Sequence, residues 1–349
     1  MKVIIPDIKI AAIAAYLPQE RIEFSTFSSV FGASKVAEIT KVTGVERVRY
    51  VSDGETSSDM CYHAATHLLA MENLDKNGID GLIFVSQTPD YRLPATSVVL
   101  QNRLGLSKDV ACLDIPYGCS GYIYGVCQAA FWVHSGMCRN VLLLVGDACS
   151  KLISPYDKSL KLLFGDCGTA TLMSKGNSPL AISLHSDGSG YDKLIIPAGA
   201  FRHPISLATN RQVMDEDGNS RSQEDMYMDG MEIFSFAVSK VPKNILETIS
   251  LADWTKEDVS LFALHQANRF IIDCIRKQLK VGAEKFPVNL TDYGNTGPAS
   301  IPLLLSDILG GTLHKNLTKV IMSGFGVGLS WGSIACDLSD THFYKPLNL

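Results

Sequence analysis

The 349-residue sequence has little charge and no long hydrophobic run. Charged residues make up 19% of it, and 31 basic side chains against 36 acidic ones leave a formal net charge of −5. Such a balance gives no general basic field for nucleic acid or for an anionic membrane. The longest apolar stretches, such as residues 141–145, are strand-sized, whereas a membrane span takes about 20 residues. Because 46% of the residues are hydrophobic, the composition excludes a disordered chain and predicts a soluble globular protein.

The cysteines lack the pattern of a disulfide framework or of a zinc ribbon. There are nine, an odd number, and no two have the C-x-x-C spacing. Most have apolar neighbours, among which a reduced cysteine behaves as a small hydrophobic side chain. The N-terminal residues have no long apolar region, so we expect no signal peptide and a reducing, cytoplasmic compartment.

Several catalytic and ligand-binding motifs are missing as well. The sequence has no P-loop and no G-x-S-x-G elbow. His63 and His67 are four residues apart but lack the glutamate of H-E-x-x-H, so we expect no metal ion. The glycines at 324, 326 and 328 lack a third glycine at the spacing of a dinucleotide loop, and too little chain follows them for a βαβ unit. These glycines can still bring amide N–H groups close to an oxyanion.

Short apolar runs alternate with longer amphipathic segments along the chain. The runs are bounded by polar or turn residues, which is typical of buried strands. Strands in alternation with helices predict an α/β fold with a largely parallel central sheet. The predicted strands are 81–85, 112–115 and 141–145, and the predicted helices are 57–71, 97–104 and 120–134.

The second half of the chain repeats the plan of the first. Leu82 lies over Leu261 and Val141 over Val320 at one offset, since 261 − 82 and 320 − 141 are both 179. Each half then reads strand, helix, strand, loop, helix, strand, which indicates a duplicated unit. We predict an N-terminal half over residues 1–178 and a C-terminal half over residues 179–349.

Residues 197–228 interrupt this plan with a polar stretch that has no periodicity. Long loops inside compact domains are usually either mobile or functional. We interpret this one as a surface excursion over a substrate entrance, with a purely structural loop as the alternative.

Cys119 has the sequence context of a nucleophile. The strand at 112–115 runs through residues 116–118 to Cys119, and a helix begins just after it. A thiol there faces unpaired backbone N–H groups and the positive end of the helix dipole, which favours the thiolate. The neighbouring Gly118, Ser120 and Gly121 are small enough for a substrate carbonyl to approach the backbone. Position alone leaves open that Cys119 is one more buried cysteine.

His265 and Asn295 are the other candidates for chemistry. His265 follows the apolar strand at 261–264, and side chains at the carboxyl end of such a strand point into the crevice where ligands bind. Asn295 lies beside a glycine in a turn that precedes an apolar helix. Taken singly, each also fits a structural role, the histidine at a helix start and the asparagine in an ordinary turn.

Short motifs accompany these residues along nearly the whole chain. They are T-G-V-E-R at 43–47, G-C-S-G-Y at 118–122, F-G-D at 164–166, M-D-G-M-E-I-F at 228–234, H-Q-A-N at 265–268, G-N-T at 294–296, A-S-I-P at 299–302 and G-F-G-V-G-L-S-W-G at 324–332. In this order and spacing the set resembles the β-ketoacyl-acyl carrier protein synthase III family, condensing enzymes of the thiolase superfamily. The resemblance implies a thiolase-like α/β fold, five-layered αβαβα, built from two duplicated halves. It also implies a homodimer joined edge to edge through the N-terminal halves, which carry the nucleophile.

The resemblance assigns roles to individual residues. Cys119, His265 and Asn295 form a catalytic triad in which the Cys119 thiolate takes an acyl group from a donor thioester. The side-chain N–H groups of His265 and Asn295 hold a malonyl thioester carbonyl and stabilise the enolate left when CO2 departs. The amides of Cys119 and Val327 form an oxyanion hole, although the family usually has glycine at the position of Val327. Substrate-binding roles fall to Asn268, Phe325, Gly326 and Lys158.

Three further positions depart from the family's pattern. Members that take acyl-CoA carry a Trp and an Arg that align with Glu38 and Val42, and a further Arg aligns with Lys158. Losing an aromatic face and a guanidinium removes the stacking that holds adenine. A carrier-protein thioester, or an unusual acyl-CoA, therefore becomes the expected donor. An acidic carrier protein needs a basic patch on its partner. The predicted helix after His265 offers one, made of Arg269, Arg276, Lys277 and Lys280. The alternative is that these cations form only a solvated helix face.

The expected activity is a decarboxylative Claisen condensation, an acyltransferase reaction of fatty acid or polyketide synthesis. No permanently bound cofactor is implied, and the substrates are acyl-CoA or an acyl carrier protein thioester together with malonyl carrier protein. Relatives with the same triad transfer the acyl group to a hydroxyl or an amine, with His265 as general base, and this alternative stays open. A third class, an inactive partner subunit, loses the triad, which is intact in this chain. The length and branching of the acyl group depend on the tunnel lining, which the sequence does not reveal.

Overall fold

A computed structural model describes residues 1–348 of the chain. Its strands are β1 Lys2–Tyr16, β2 Glu20–Glu23, β3 Arg47–Tyr50, β4 Gly81–Val85, β5 Ala111–Ile115, β6 Asn140–Asp147, β7 Cys167–Lys175, β8 Ser178–Ser186, β9 Leu194–Ile195, β10 Val213–Met214, β11 Ser220–Arg221, β12 Tyr227–Met228, β13 Leu261–Leu264, β14 Val320–Gly326, β15 Ser330–Cys336 and β16 His342–Phe343. Its α-helices are α1 Ser28–Phe31, α2 Ala33–Thr43, α3 Ser57–Met71, α4 Thr96–Leu104, α5 Gly121–His134, α6 Lys158–Lys161, α7 Gly230–Leu251, α8 Arg269–Leu279, α9 Leu290–Tyr293 and α10 Ser300–Leu309.

The predicted elements of the first half form close to their predicted ends. β4 and α3 have the predicted ends, and β5, β6, α4 and α5 differ from them by one or two residues. A capping box defines the start of α3. The Thr56 hydroxyl accepts the backbone N–H of Asp59 at 3.4 Å, and the Asp59 carboxylate accepts the backbone N–H of Thr56 at 2.8 Å.

The main sheet is mixed, which corrects the expectation of a largely parallel one. Its strands run in the order β13-β14-β15-β8-β1-β7-β6-β4-β5, with β16 beside β1. Parallel pairing joins β4 to β5, β4 to β6, β13 to β14 and β1 to β16, and the other neighbours among the described strands are antiparallel. The connection between β14 and β15, residues 327–329, shows why. It is far too short for the crossover helix that parallel neighbours require.

Two parts of the main sheet, one from each half of the chain, enclose a common helical layer. Side chains alternate across each strand, so Ile83 of β4 and Ala263 of β13 face the same core. Leu82 and Phe262 face outward into two other cores. The helices α5 and α10 fill the common core, α3 and α4 cover one outer face, and α7 and α8 cover the other. This order confirms the predicted five-layered αβαβα fold.

The duplication is visible in the sheet but not at a constant offset. β4 pairs with β6 as β13 pairs with β14, in parallel. Leu82 lies opposite Leu142, whereas Leu261 lies opposite Val320, so the offset of 179 is wrong by one residue in one of these strands. The second half also has no strand at the place of β5 within the described residues, because α8 leads into short helical turns. The boundary between residues 178 and 179 stays a prediction, since β1 pairs with strands of both halves.

Candidate active site

Cys119 lies between the end of β5 and the start of α5, and only 7% of its surface is exposed. Burial, reinforced by the charge of Asp147, raises the pKa of this thiol to about 12. Hydrogen bonds from two backbone amides, those of Val327 and of Cys119 itself, lower the pKa of the thiol but do not offset the effect of burial. The expectation that the helix start favours the thiolate is therefore wrong for this site. A helix terminus contributes about 1 kcal/mol, which is less than the cost of burying a charge.

His265 follows β13 and is almost completely buried, with 1% of its surface exposed. Its backbone N–H donates to the Ser323 carbonyl at 2.8 Å, and its Nδ1 lies 2.7 Å from the Ser300 hydroxyl. The ring meets that of Phe325 edge-on, with centroids 5.4 Å apart. Burial lowers the pKa of the imidazole to about 3, and a hydrogen bond to the backbone of Gly297 opposes this only in part. The imidazole is therefore neutral at physiological pH.

Asn295 is held by the F-G-D segment of the other half of the chain. Its backbone N–H donates to the Leu163 carbonyl at 2.8 Å, and its carbonyl accepts the N–H of Gly165 at 3.0 Å. Its side-chain oxygen accepts the N–H of Gly297 at 3.0 Å, and its Nδ2 donates weakly to the Ala267 carbonyl at 3.4 Å. With 4% of its surface exposed, Asn295 is as firmly placed as His265.

Contacts through two glycines bring these three side chains into one site. Gly326 lies against the nucleophile, since a Cβ added there would be 2.8 Å from the Cys119 sulfur and 2.6 Å from its Cβ. Phe325, the preceding residue, contacts the ring of His265. Gly297 binds both His265 and Asn295 through its backbone. The predicted cysteine, histidine and asparagine thus come from separate segments to one buried centre, although their catalytic roles stay predictions.

Two cavities adjoin this centre. The smaller holds about 170 Å³ and the larger about 300 Å³. Both are lined by Gln87 and Val327, and the larger also by Gly118, the residue before the nucleophile. The rest of the smaller lining is apolar, namely Leu152, Leu194, Ile195, Ile196 and Met226.

The polar stretch at 197–228 is anchored to the body of the protein. It contains the hairpin of β10 and β11, and the guanidinium of Arg221 pairs with Asp157 at 2.9 Å and with Asp215 at 2.7 Å. Near its end, Met226 lines the smaller cavity. This position supports the interpretation of the stretch as part of a substrate entrance.

Other predicted substrate-binding and carrier-patch residues form hydrogen bonds outside the buried centre. The side-chain oxygen of Asn268 caps α8 by accepting the N–H of Ile271 at 2.8 Å. Lys158 donates to the backbone carbonyl of Asp217 in the polar stretch. Arg276 is turned toward the Val281 carbonyl, at 3.2 Å, and toward an aspartate of its own helix. Of the predicted carrier patch, the exposed members are Arg269, Lys277 and Lys280.

Sequence reasoning missed Gln87 and Asp147. Asp147 ends β6, and its Oδ1 accepts the Ser86 hydroxyl at 2.8 Å and the backbone N–H of Gln87 at 2.7 Å. Burial raises the pKa of this carboxyl to about 6. Both residues lie at the carboxyl ends of parallel strands: Gln87 follows β4, the neighbour of the strand that leads to Cys119, and Asp147 ends β6 on the other side of β4. That placement is the signal by which the sequence could have found them.

Within residues 1–348, no helix is long and apolar enough to cross a membrane. No group of three or more His, Cys, Asp or Glu side chains in that range is arranged to hold a metal ion. All nine cysteines are free thiols.

The fold and the grouping of a cysteine, a histidine and an asparagine define a condensing enzyme of the thiolase class. Residues 113–188 match the family model of 3-oxoacyl-[acyl-carrier-protein] synthase III, and residues 249–338 match the model of its C-terminal part. The β-ketoacyl-[acyl-carrier-protein] synthase III of Streptococcus pyogenes serotype M6 is 33% identical over 330 residues, which are 93% of this chain and 98% of that protein. The chain belongs to the 3-oxoacyl-[acyl-carrier-protein] synthase III family, which confirms the resemblance drawn from the motifs.

Solved structures agree with this assignment. The crystal structure of a 3-oxoacyl-(acyl-carrier protein) synthase from Burkholderia xenovorans LB400 matches with a TM-score of 0.92 at 37% identity, covering 100% of this chain and 99% of that one. The β-ketoacyl-[acyl carrier protein] synthase III of Thermus thermophilus matches with a TM-score of 0.81 at 32% identity, covering 94% of this chain and 98% of that one.

Proposed function

We propose that the protein takes an acyl group from a thioester onto Cys119 and condenses it with a malonyl thioester, with loss of CO2. The observation that carries this proposal is a neutral, buried imidazole beside a buried thiol and a buried asparagine. Such a site offers hydrogen-bond donors to a developing oxyanion and has no strong base.

In the first step, the sulfur of Cys119 attacks the carbonyl carbon of the donor thioester. The hydrogen bonds of the Cys119 and Val327 amides to the sulfur support a role for them in holding the oxyanion. The C–S bond to the donor breaks, and the departing thiolate takes up the proton that the Cys119 thiol gives up. The acyl group is then a thioester of Cys119.

In the second step, the malonyl thioester loses its carboxylate as CO2, and the electron pair of the broken C–C bond forms an enolate. Side-chain N–H groups of His265 and Asn295 hold the enolate oxygen. The carbanion carbon attacks the acyl carbonyl on Cys119, a C–C bond forms, and the C–S bond breaks. The released sulfur takes up a proton, which returns the site to its starting state. No step requires a metal or a prosthetic group.

The pKa of His265 favours condensation over transfer to a hydroxyl or an amine. A general base is most effective when its pKa lies near the working pH, and this imidazole has a pKa of about 3. It is therefore a poor base, whereas the donor role in condensation needs only the neutral ring.

The structure around the three departing positions supports a carrier-protein donor, or an unusual acyl-CoA held in another way. Glu38 is exposed and pairs with Lys35 at 3.0 Å, and Val42 is 54% exposed. Lys158 is engaged by the backbone of Asp217. None of these three side chains offers a flat surface for a purine. We propose that an acidic carrier protein, delivering acyl or malonyl groups, docks on the exposed cations of α8: Arg269, Lys277 and Lys280.

We further propose a homodimer in which the sheets of two copies join at β5. β5 ends the described sheet, so one of its edges is free to pair with a second copy. Leu93, in the loop after β4, is 81% exposed, and a large apolar side chain with that exposure supports an interface with a second copy. The nine free thiols fit a reducing compartment and support a cytoplasmic location.

The test is to incubate the protein with an acyl thioester and malonyl carrier protein labelled in the carboxyl group. CO2 release coupled to acyl consumption is expected, whereas acyl consumption without CO2 release would favour transfer to a heteroatom. Cys119→Ala should abolish the acyl-enzyme seen by intact-protein mass spectrometry. Asn295→Ala should keep acylation and impair decarboxylation, and loss of acylation in that variant would overturn the role of Asn295 as a donor to the enolate.

A further inference from the structure

Gln87 occupies a position from which it can contact the acyl group. It follows β4 and lines both cavities beside the nucleophile. Asp147 Oδ1 accepts its backbone N–H at 2.7 Å and so fixes where its side chain begins. The carboxamide lies against Gly118, because a Cβ added at Gly118 would overlap Gln87 Oε1. Gly118 immediately precedes Cys119, so a polar group lies close to the nucleophile.

The side chains of Val327 and Gln87 both lie against the backbone of Gly118. Cγ1 of Val327 would be 2.6 Å from a Cβ at Gly118. The amide of Val327 binds the Cys119 sulfur, so its side chain also lies close to the reacting carbon. One apolar and one polar side chain therefore border the two cavities next to Gly118, the residue before Cys119.

Gln87 is exposed, and within residues 1–348 its backbone N–H is hydrogen-bonded to Asp147 while its carboxamide is open to solvent. An amide side chain has two N–H donors and an oxygen acceptor. In the smaller cavity it is the one polar side chain among six apolar ones of the described lining. An acyl group that enters this cavity displaces water from the carboxamide. A plain hydrocarbon offers no hydrogen bond in place of the water it displaces, whereas a hydroxyl or a carbonyl on the acyl group does.

We propose that Gln87 is a specificity residue of this site, and that the natural acyl group carries a hydroxyl or another hydrogen-bonding group near its thioester carbon. The proposal rests on the proposed function, because it presumes that Cys119 becomes acylated. Sites built to bind a hydroxyl reject an analogue that lacks it, because their polar groups are left unpaired.

The experiment measures acylation of Cys119 by N-acetylcysteamine thioesters in two matched pairs, using intact-protein mass spectrometry. The pairs are lactoyl with isobutyryl and 3-hydroxybutyryl with isovaleryl, and each replaces a hydroxyl by a methyl group of similar size. We expect the hydroxylated member of at least one pair to acylate the wild-type protein at least tenfold faster. Gln87→Leu should abolish or reverse this preference. Gln278→Leu, the same change at an exposed position of α8, should keep it.

The outcomes separate this proposal from the proposed function. If both members of each pair react equally fast with the wild-type protein, or if Gln87→Leu keeps the preference, the specificity role is wrong and the acylation chemistry stands. If none of the four thioesters acylates Cys119, both proposals fail. A thermal melt of each variant checks that it is folded, and Gln87→Met, which preserves the length of the side chain, replaces Gln87→Leu if that variant is unstable.

Discussion

The Ser300 hydroxyl and Nδ1 of His265 form a hydrogen bond of 2.7 Å between two side chains that are each 1% exposed. The backbone N–H of Gln266 donates to the same hydroxyl oxygen at 3.3 Å, and we propose that the hydroxyl proton of Ser300 goes to Nδ1, because the donor role proposed for the ring requires a proton on Nε2. Nδ1 is then the acceptor, and the neutral ring carries its proton on Nε2. This is the tautomer that can donate a hydrogen bond to a thioester carbonyl from Nε2.

Replacement of Ser300 by alanine should impair condensation more than acylation. Without the hydroxyl, nothing selects the Nε2–H tautomer, and groups that orient a histidine typically contribute about tenfold to hundredfold. We expect Ser300→Ala to slow CO2 release by about that factor and to leave acylation of Cys119 nearly unchanged. Ser300→Thr, which retains a hydroxyl, should recover part of the activity. Equal loss in both half-reactions would show that Ser300 has only a structural role.

Gly326 should not tolerate a side chain. A Cβ would be 2.6 Å from that of Cys119, closer than carbon atoms pack, and overpacking typically costs about 1–3 kcal/mol. We expect Gly326→Ala to lower the free energy of unfolding by about that amount and to abolish acylation. Gly230→Ala is the control, because no atom lies within 4 Å of its added Cβ. Normal acylation in Gly326→Ala would contradict the close approach of these two residues.

Alkylation of Cys119 should depend steeply on pH. With burial raising its pKa to about 12, the thiolate is a small fraction that grows about tenfold for each pH unit. The rate of iodoacetamide modification of the Cys119 peptide, followed by mass spectrometry between pH 7 and 10, should rise throughout this range. N-acetylcysteine, a free thiol, should level off near pH 9 to 10 in the same series. A modification rate of Cys119 that levels off below pH 8 would show that its pKa is low, as the helix start predicted.

Asp147→Asn should stabilise the protein at neutral pH but not in acid. Burial raises the pKa of this carboxyl from 3.8 to about 6, so folding favours its protonated form. That stabilising contribution is complete below about pH 4 and is lost as the pH rises through 6. Asparagine does not titrate, and its oxygen accepts the same hydrogen bonds. The free energy of unfolding of the variant should therefore rise relative to that of the wild type between pH 4 and 7, by up to about 3 kcal/mol.

Urea unfolding at several pH values measures this difference. Asp53→Asn, the same change at an exposed position, is the matched control. A difference between wild type and Asp147→Asn that does not change with pH would mean that Asp147 keeps an ordinary pKa in the folded protein.

Local patterns carried most of what could be predicted of the fold. The bounds of β4 and α3 follow from an apolar run and from a capping box, which are properties of neighbouring residues. The mixed sheet and the one-residue shift between the halves were not predictable in this way. Strand pairing depends on connection lengths and on register, and a single-residue slip leaves the hydrophobic pattern of a short, doubly buried strand almost unchanged.

The candidate site was likewise predictable only where local motifs mark its residues. Cys119, His265 and Asn295 were found because each follows a recognisable strand or turn and carries a motif. Gln87 was missed because a glutamine after a strand is common, and it gains meaning only from the cavity that it shares with Met226 and other side chains distant in sequence.

By itself, the sequence determined which segments become helices and strands and which residues are candidates for the chemistry, because periodicity and motifs are local, and the family resemblance implied the number of layers. Only the tertiary structure decided the charge states of Cys119 and His265 and the neighbours of the acyl group. Those properties depend on burial, and burial is produced by segments that lie far apart in the chain and meet only when it folds.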